Sequence, residues 1–203
     1  MFSRLYHFFK GPNPLHPAVW SGRLTPVVFR RLRRQDVPGC LELYAQNEPG
    51  RFPEGVVKQY EESLTQLSSY FLVAEMDGQI VASGGLSYYA RRNIAVFCFG
   101  LVHPRQQGKG LGTALFLARL ALLTSHEFYY RVLIFAVDKS IGFYRRFGFR
   151  DFQAWKDPQG VERPSGHLLI TASEIRRCRS LLKAQRIIMP EDENEIPFRP
   201  EKN

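Results

Sequence analysis

Arg105-Gln106-Gln107-Gly108-Lys109-Gly110-Leu111-Gly112-Thr113 is the stretch whose reading decides this chain. An apolar run over 94–102 precedes it and is closed by His103-Pro104; a helical pattern over 113–124 follows. The loop therefore stands at a strand-to-helix junction. Its three glycines remove side chains where a ligand could approach the backbone. The helix N-terminus aims free N–H groups and a positive dipole end at the same place, which makes an anion site suited to phosphates. The dinucleotide fingerprint G-x-G-x-x-G does not fit, because the third glycine arrives one residue early. The P-loop pattern does not fit either, because no Lys-Ser or Lys-Thr pair closes the loop. What is present is R-x-x-G-x-G, as Arg105, Gly108 and Gly110. Alone, that pattern also describes a glycine-rich turn, so the neighbouring elements must decide.

Upstream, 27–32 reads as a short strand. Asp36 is an N-cap candidate with Pro38 in the first turn. The helix to about residue 46 carries Val37, Cys40, Leu41 and Tyr44 on one face. A loop over 47–55 leads to a second helix over 56–67 with Val57, Tyr60, Leu64 and Leu67. Residues 70–75 and 79–88 are strands joined by the hairpin signal Asp77-Gly78. Gly84-Gly85 inside the second of them implies a bulge or a close backbone approach. A turn over 90–93 enters the 94–102 strand. Downstream, the helix over 113–124 is apolar around most of its surface and so belongs inside. The 130–137 strand is apolar apart from Arg131, which suits an interior sheet position. A short helix over 139–147 ends at Gly148. Strands over 149–155 and 167–171 flank a polar turn, a basic helix covers 172–186, and 187–203 reads as a loose tail.

Composition bounds the class. The net charge is +9 with 44% hydrophobic residues, which suits one globular domain with extensions. No apolar run has the roughly 20 residues that span a bilayer. Cys40, Cys98 and Cys178 form no disulfide framework and no metal pair, and the histidines show no zinc spacing, so the expectation is a cytoplasmic protein with no metal. Residues 1–35 hold seven Lys or Arg and no acid. That basic face suits a polyanion, but no nucleic-acid signature accompanies it, so no nucleic-acid partner is expected. The expected organisation is an aromatic, basic arm and connector over 1–26, a domain over 27–171, and a C-terminal helix and tail over 172–203. The arm and that helix are the candidate surfaces for a homodimer.

The element order β-α-α-β-β-β-α-β-α-β-β is similar to that of the GNAT superfamily of N-acetyltransferases. That family places its coenzyme A loop, [QR]-x-x-G-x-[GA], after the fourth strand. Its later motif A-x-x-[LF]-Y-x-x-x-G-F resembles Ser140-Ile141-Gly142-Phe143-Tyr144-Arg145-Arg146-Phe147-Gly148-Phe149, with Ser in place of Ala. The resemblance covers roughly 27–170. It implies a mixed α/β fold, with a central, mostly antiparallel sheet flanked by helices, and acetyl-CoA as co-substrate. Backbone N–H groups of Gln107, Gly108, Lys109, Gly110, Leu111, Gly112 and Thr113 would surround the pyrophosphate, with charge added by Arg105 and Lys109. The strand end Leu101, Val102 and His103 would pair with the pantetheine arm, and Leu101 or a neighbour would donate to the oxyanion. Tyr144 would be the general acid that protonates the departing thiolate. The Asn that often stands seven residues before that Tyr is here Val137, which puts its contact in doubt. No carboxylate stands on 94–102, and Cys98, the one polarizable residue in its middle, reads as packing. Glu75 and His103 are the possible bases; the base is left unassigned, with water-mediated deprotonation favoured. A primary amine acceptor would meet the 47–55 loop, the second helix and the 87–93 turn, where Glu48, Glu54, Arg51, Phe52, Tyr88, Tyr89 and Arg91 give mixed signs. The alternative function is a coenzyme A-binding sensor without turnover.

Overall fold

The structure is a computed structural model that describes residues 15, 22–47, 55–65, 69–89, 93–123, 129–156 and 162–190. The elements are β1 (Phe29–Arg31), α1 (Val37–Asn47), α2 (Val56–Thr65), β2 (Tyr70–Met76), β3 (Gln79–Tyr89), β4 (Ile94–Val102), α3 (Leu111–Ala121), β5 (Tyr129–Phe135), α4 (Asp138–Arg145), β6 (Arg150–Lys156), β7 (Glu162–Thr171) and α5 (Ala172–Ala184). Short 3-10 turns, Arg34–Asp36 and Pro104–Gln106, precede α1 and the glycine loop. The strands form one sheet in the order β1-β2-β3-β4-β5-β7-β6. Every neighbouring pair is antiparallel except β4 with β5. This is the mixed, mostly antiparallel sheet that the sequence implied.

Side chains on a strand alternate between faces, and β2 shows where each layer lies. Tyr70, Leu72 and Ala74 pack with α3 and α5. Phe71 and Val73 pack with Cys40, Leu43, Tyr44, Tyr60 and Leu64 of α1 and α2. The sheet is thus covered on both faces. Helix α3 lies between the sheet and α5, which is why Ala114 to Ala121 are all buried. Its last carbonyls would be orphans there. Arg179 of α5 donates to the carbonyls of Ala121 at 2.8 Å and Leu123 at 2.7 Å, and so closes that end.

Several local expectations shift in the fold. Asp77 and Gly78 both have positive φ, 50° and 76°, as a two-residue primed turn requires. Asp36 does not cap α1. Its carboxylate accepts from Arg30 at 2.6 and 2.9 Å and from the Arg33 N–H at 2.7 Å, because a bidentate charged pair with β1 is stronger than a cap. Burial pushes the Asp36 carboxyl up, but these bonds outweigh it and hold it below the usual range. In α1, Leu43 is buried and Leu41 only packs at the edge. In α2, Val56 is buried and Val57 is 42% exposed, a one-residue rotation of the expected face. Strand β7 begins at Glu162, well before the expected residue 167. Ile187 and Ile188 are not loose. Ile188 donates to the Val27 carbonyl at 3.0 Å and accepts from Phe29 N–H at 2.9 Å, while Ile187 is buried. The expectations for 1–14, 16–21, 48–54, 66–68 (Leu67 among them), 90–92, 124–128, 157–161 and 191–203 lie outside the described residues.

Parts of the connector and the C-terminal helix meet. Thr171 caps α5 in a reciprocal box with Glu174, and the same carboxylate accepts from the Leu15 N–H at 2.7 Å. Gln185 accepts from Leu24 N–H at 3.2 Å and donates to the Gly22 carbonyl at 3.1 Å. Residues 22–25 are thereby held against the glycine loop, where the Thr25 hydroxyl donates to the Lys109 carbonyl.

Candidate active site

The site begins with a defect in β4. Ser83 pairs with Leu101 and Gly85 with Cys98, so β4 carries one residue more than β3 across this span. The extra residue is a bulge, and Phe99 adopts φ 47° to make it. A bulge reverses side-chain parity. Ala95 and Phe97 face α3, whereas Leu101, two pleats further, faces α1 and α2. Gly85 makes the bulge affordable in space: a Cβ there would lie 2.5 Å from Cys98 Sγ and 2.8 Å from the Phe71 ring.

Beyond the bulge β4 loses its other neighbour. Its pairing with β5 runs from Ile94↔Arg131 to Phe97↔Ile134 and stops. The edge of residues 98–102 is then free of β5. His103 N–H bonds back to Val81 of β3 at 2.8 Å. Alternation along the strand therefore turns Leu101 N–H to β3 as well, and the N–H groups of Gly100 and Val102 to the open side. The N–H groups on the open edge are thus those of Leu101's neighbours. The Val102 carbonyl on that side accepts from Gln107 Nε2 at 3.0 Å.

The gap is a cavity of about 510 Å³. Of the residues singled out from sequence, Leu101, Val102, Gln107, Gly108, Gly110, Gly112, Thr113 and Tyr144 line it together. His103, Arg105, Lys109 and Leu111 do not. His103 Nδ1 accepts from Arg105 N–H at 3.1 Å and so shapes the turn. Lys109 Nζ reaches Gln106 at 3.5 Å, and Leu111 is fully buried. Of the possible bases, Glu75 pairs with Arg30 at 2.8 Å on the far strands, and neither it nor His103 lines the cavity; Cys98 Sγ points toward Ser69 at 3.9 Å. No carboxylate appears among the described residues of the wall, whereas Arg23, Arg119, Lys139 and Arg146 all do.

Helix α3 starts two residues earlier than its apolar pattern suggested. Gly110 is its N-cap with φ 89°. A Cβ at Gly110 would also stand 2.6 Å from the Arg23 carbonyl, so the connector packs against bare backbone. Gly108 has φ 75° in open space, and a Cβ at Gly112 would stand an ordinary 3.5 Å from the Phe143 ring. The first-turn N–H groups, at Leu111, Gly112 and Thr113, are the free donors of a helix start.

Tyr144 comes from α4, whose start is closed by Ser140 donating to the Val137 carbonyl at 2.8 Å. Val137 itself lines the cavity where the family's Asn was expected. Gly148, with φ 101°, turns the chain so that Phe149 packs on Tyr144 while Phe147 packs on Phe116. Tyr144 is 9% exposed, and its hydroxyl would meet a Cβ on Gly100 at 3.4 Å.

Sequence reasoning gave no donor-site role to several wall residues. Arg23 arrives through the connector. Asn47, at the end of α1, is buried and accepts from Gln107 at 3.0 Å. Gly100 leaves the opening in β4. Arg119 is 2% exposed on a helix that otherwise reads as core. A charged residue on an all-apolar helix was the available signal for Arg119.

A splayed α/β sheet with a cationic, glycine-lined gap is the architecture of an acyl-CoA transferase. The family model described as "Acetyltransferase (GNAT) family" matches residues 37–149, more than half of the chain, and the protein belongs to that family. Solved structures agree in fold. A Desulfovibrio desulfuricans protein assigned to the GNAT family is 18% identical, with TM-score 0.57 over 72% of this chain and 99% of that one. The ribosomal-protein-S18-alanine N-acetyltransferase of Escherichia coli is 18% identical, with TM-score 0.53 over 70% and 93%. A Brucella melitensis GNAT acetyltransferase, solved with acetyl-CoA, is 21% identical, with TM-score 0.51 over 70% and 86%. No curated protein matches the sequence. Among the described residues no helix is long and apolar enough to cross a membrane.

Proposed function

We propose that the chain is an N-acetyltransferase that moves an acetyl group from acetyl-CoA to a primary amine within a ternary complex. The observation that carries this reading is the wall of the β4–β5 gap. It places a helix N-terminus, four cationic side chains and the Tyr144 hydroxyl around one cavity, with no described carboxylate to compete for the cations. That set fits a polyanionic thioester.

The amine nitrogen attacks the thioester carbonyl, and the oxygen takes negative charge. The N–H groups of Gly100 and Val102 on the open edge of β4 are the donors placed to stabilise it. The C–S bond then breaks, and Tyr144 gives its hydroxyl proton to the leaving sulfur. The ammonium proton leaves through water, since the cavity wall offers no described carboxylate. The acceptor enters from the α1–α2 side of the sheet, opposite α3. None of Cys40, Cys98 and Cys178 forms a disulfide, which suits a cytoplasmic setting.

A free-thiol assay across amines, polyamines, aminoglycosides and peptide N-termini tests the reading. Tyr144→Phe should keep acetyl-CoA binding and lower kcat by about 10²–10⁴. Turnover equal to wild type at every pH would remove Tyr144 from the mechanism. Acetyl-CoA binding with no turnover on any acceptor would turn the assignment to a sensor.

A further inference from the structure

Arg119 has no partner equal to its charge. It is fully buried in α3, and among the described residues no carboxylate acts on it. Its Nη1 donates only at 3.4 Å to the Gly85 carbonyl and 3.5 Å to the Cys98 carbonyl. Its buried Nε has no hydrogen-bond partner. The guanidinium lies over the Phe97 ring at 4.6 Å. Burying a cation this way costs several kcal/mol unless an anion compensates it. The fold nevertheless makes room for it. A Cβ at Gly84 would stand 3.3 Å from Arg119 Cζ and Nε, and one at Gly100 would stand 3.1 Å from Nη2.

The place of Arg119 names the missing anion. It lines the donor cavity, and a Cβ on Gly100 would lie 3.1 Å from its Nη2 and 3.4 Å from the Tyr144 hydroxyl, so the two side chains converge on one point. It stands nine residues beyond Gly110, about 14 Å along the helix from the phosphate end. It also projects from the α3 face, whereas the acceptor side is the face of α1 and α2. The phosphates therefore belong to one end of α3, and Arg119 belongs to the thioester end.

We propose that Arg119 is an acyl-selecting residue, and that the cavity takes a short dicarboxylic acyl group, malonyl or succinyl, whose free carboxylate pairs with its guanidinium. This rests on the acyl-CoA reading of the cavity. In the transfer, the amine–carbonyl C–N bond forms and the C–S bond breaks. The thiolate takes the Tyr144 proton, and the distal carboxylate passes unchanged into the amide product.

Calorimetric titration of the wild-type protein with acetyl-, butyryl-, malonyl- and succinyl-CoA tests this without any variant. Butyryl matches succinyl in chain length and lacks its charge. The better of the two dicarboxylic esters should bind about tenfold or more tighter than butyryl-CoA. Arg119→Met, shown folded by its melting curve, should bring the two affinities together. Butyryl-CoA binding as tightly as the dicarboxylic esters in wild type would overturn the proposal. So would a dicarboxylic advantage that survives in Arg119→Met. Binding and turnover of acetyl-CoA alone would overturn this inference and leave the acetyltransferase reading standing. Failure of every ester to bind would overturn both.

Discussion

Gly110→Ala and Gly108→Ala make a matched pair that isolates one contact. Both glycines sit in the same loop with similar positive φ, 89° and 75°. Each alanine pays for a left-handed backbone, about 1–2 kcal/mol. At Gly108 nothing lies within 4 Å of the new Cβ, and the cost should stop there. At Gly110 the new Cβ meets the Arg23 carbonyl at 2.6 Å and Leu24 Cα at 3.1 Å. Those are backbone atoms held by Gln185 and Thr25 and cannot swing aside. Forced overpacking of this kind adds about 1–3 kcal/mol. Gly110→Ala should therefore be less stable than Gly108→Ala by about 1–3 kcal/mol, a midpoint gap of roughly 2–12 °C for a chain of this size. Urea unfolding of the ligand-free variants, followed by circular dichroism, reads the gap directly. The shift should also move the start of α3 and weaken acetyl-CoA binding more than Gly108→Ala does. If Gly110→Ala proved as stable as Gly108→Ala, the packing of the connector on the loop would be refuted.

Three other outcomes follow from the packing. Asp36 is held below the usual carboxylate range, so its stabilisation is complete above about pH 4 and fades as pH falls through its lower folded value. Asp36→Asn should cost about 2 kcal/mol at pH 7, with the gap narrowing as pH falls below about 4; a gap constant in pH would contradict the pair with Arg30. Gly85→Ala should lose about 3 kcal/mol, because its Cβ strikes Cys98 Sγ and Phe71. Adding Cys98→Ala should recover part of that loss, and strict additivity of the two changes would argue against the contact. Burial pushes the Cys40 thiol up to about 11 and the Cys178 thiol up to about 12. Alkylation of the native protein at pH 8 should mark Cys98 first; equal rates at all three by peptide mass spectrometry would refute the buried placement.

Most of the fold could be read from the chain because its signals are local. The Asp77-Gly78 turn, the strand boundaries of β4 and the stop at Gly148 each follow from dihedral preferences of one or two residues. Faces were read less well. Val56 took the buried place expected for Val57, and Leu43 that expected for Leu41, because a helix rotates by packing and propensity does not fix the angle. Asp36 was drawn off its helix by Arg30, a partner on another strand. Ile188 looked like part of a tail because its partners, Val27 and Phe29, stand at the other end of the chain.

The donor site divides in the same way. The glycine loop and the Tyr144 motif are short-range objects: a strand end, a run of glycines, a helix start and a ten-residue pattern. Amino-acid order alone determines that phosphates suit the first and that an aromatic hydroxyl is presented by the second. Tertiary structure decided that the two share one cavity, through a bulge in β4 that ends its pairing with β5. It also decided the meaning of Arg119. On the helix it is one charge among leucines and alanines. Only the approach of Gly84 from β3, of Gly100 from β4 and of Tyr144 from α4 makes it a buried cation in the wall of that cavity. Charge burial depends on atoms far apart in the chain, so no local pattern records it.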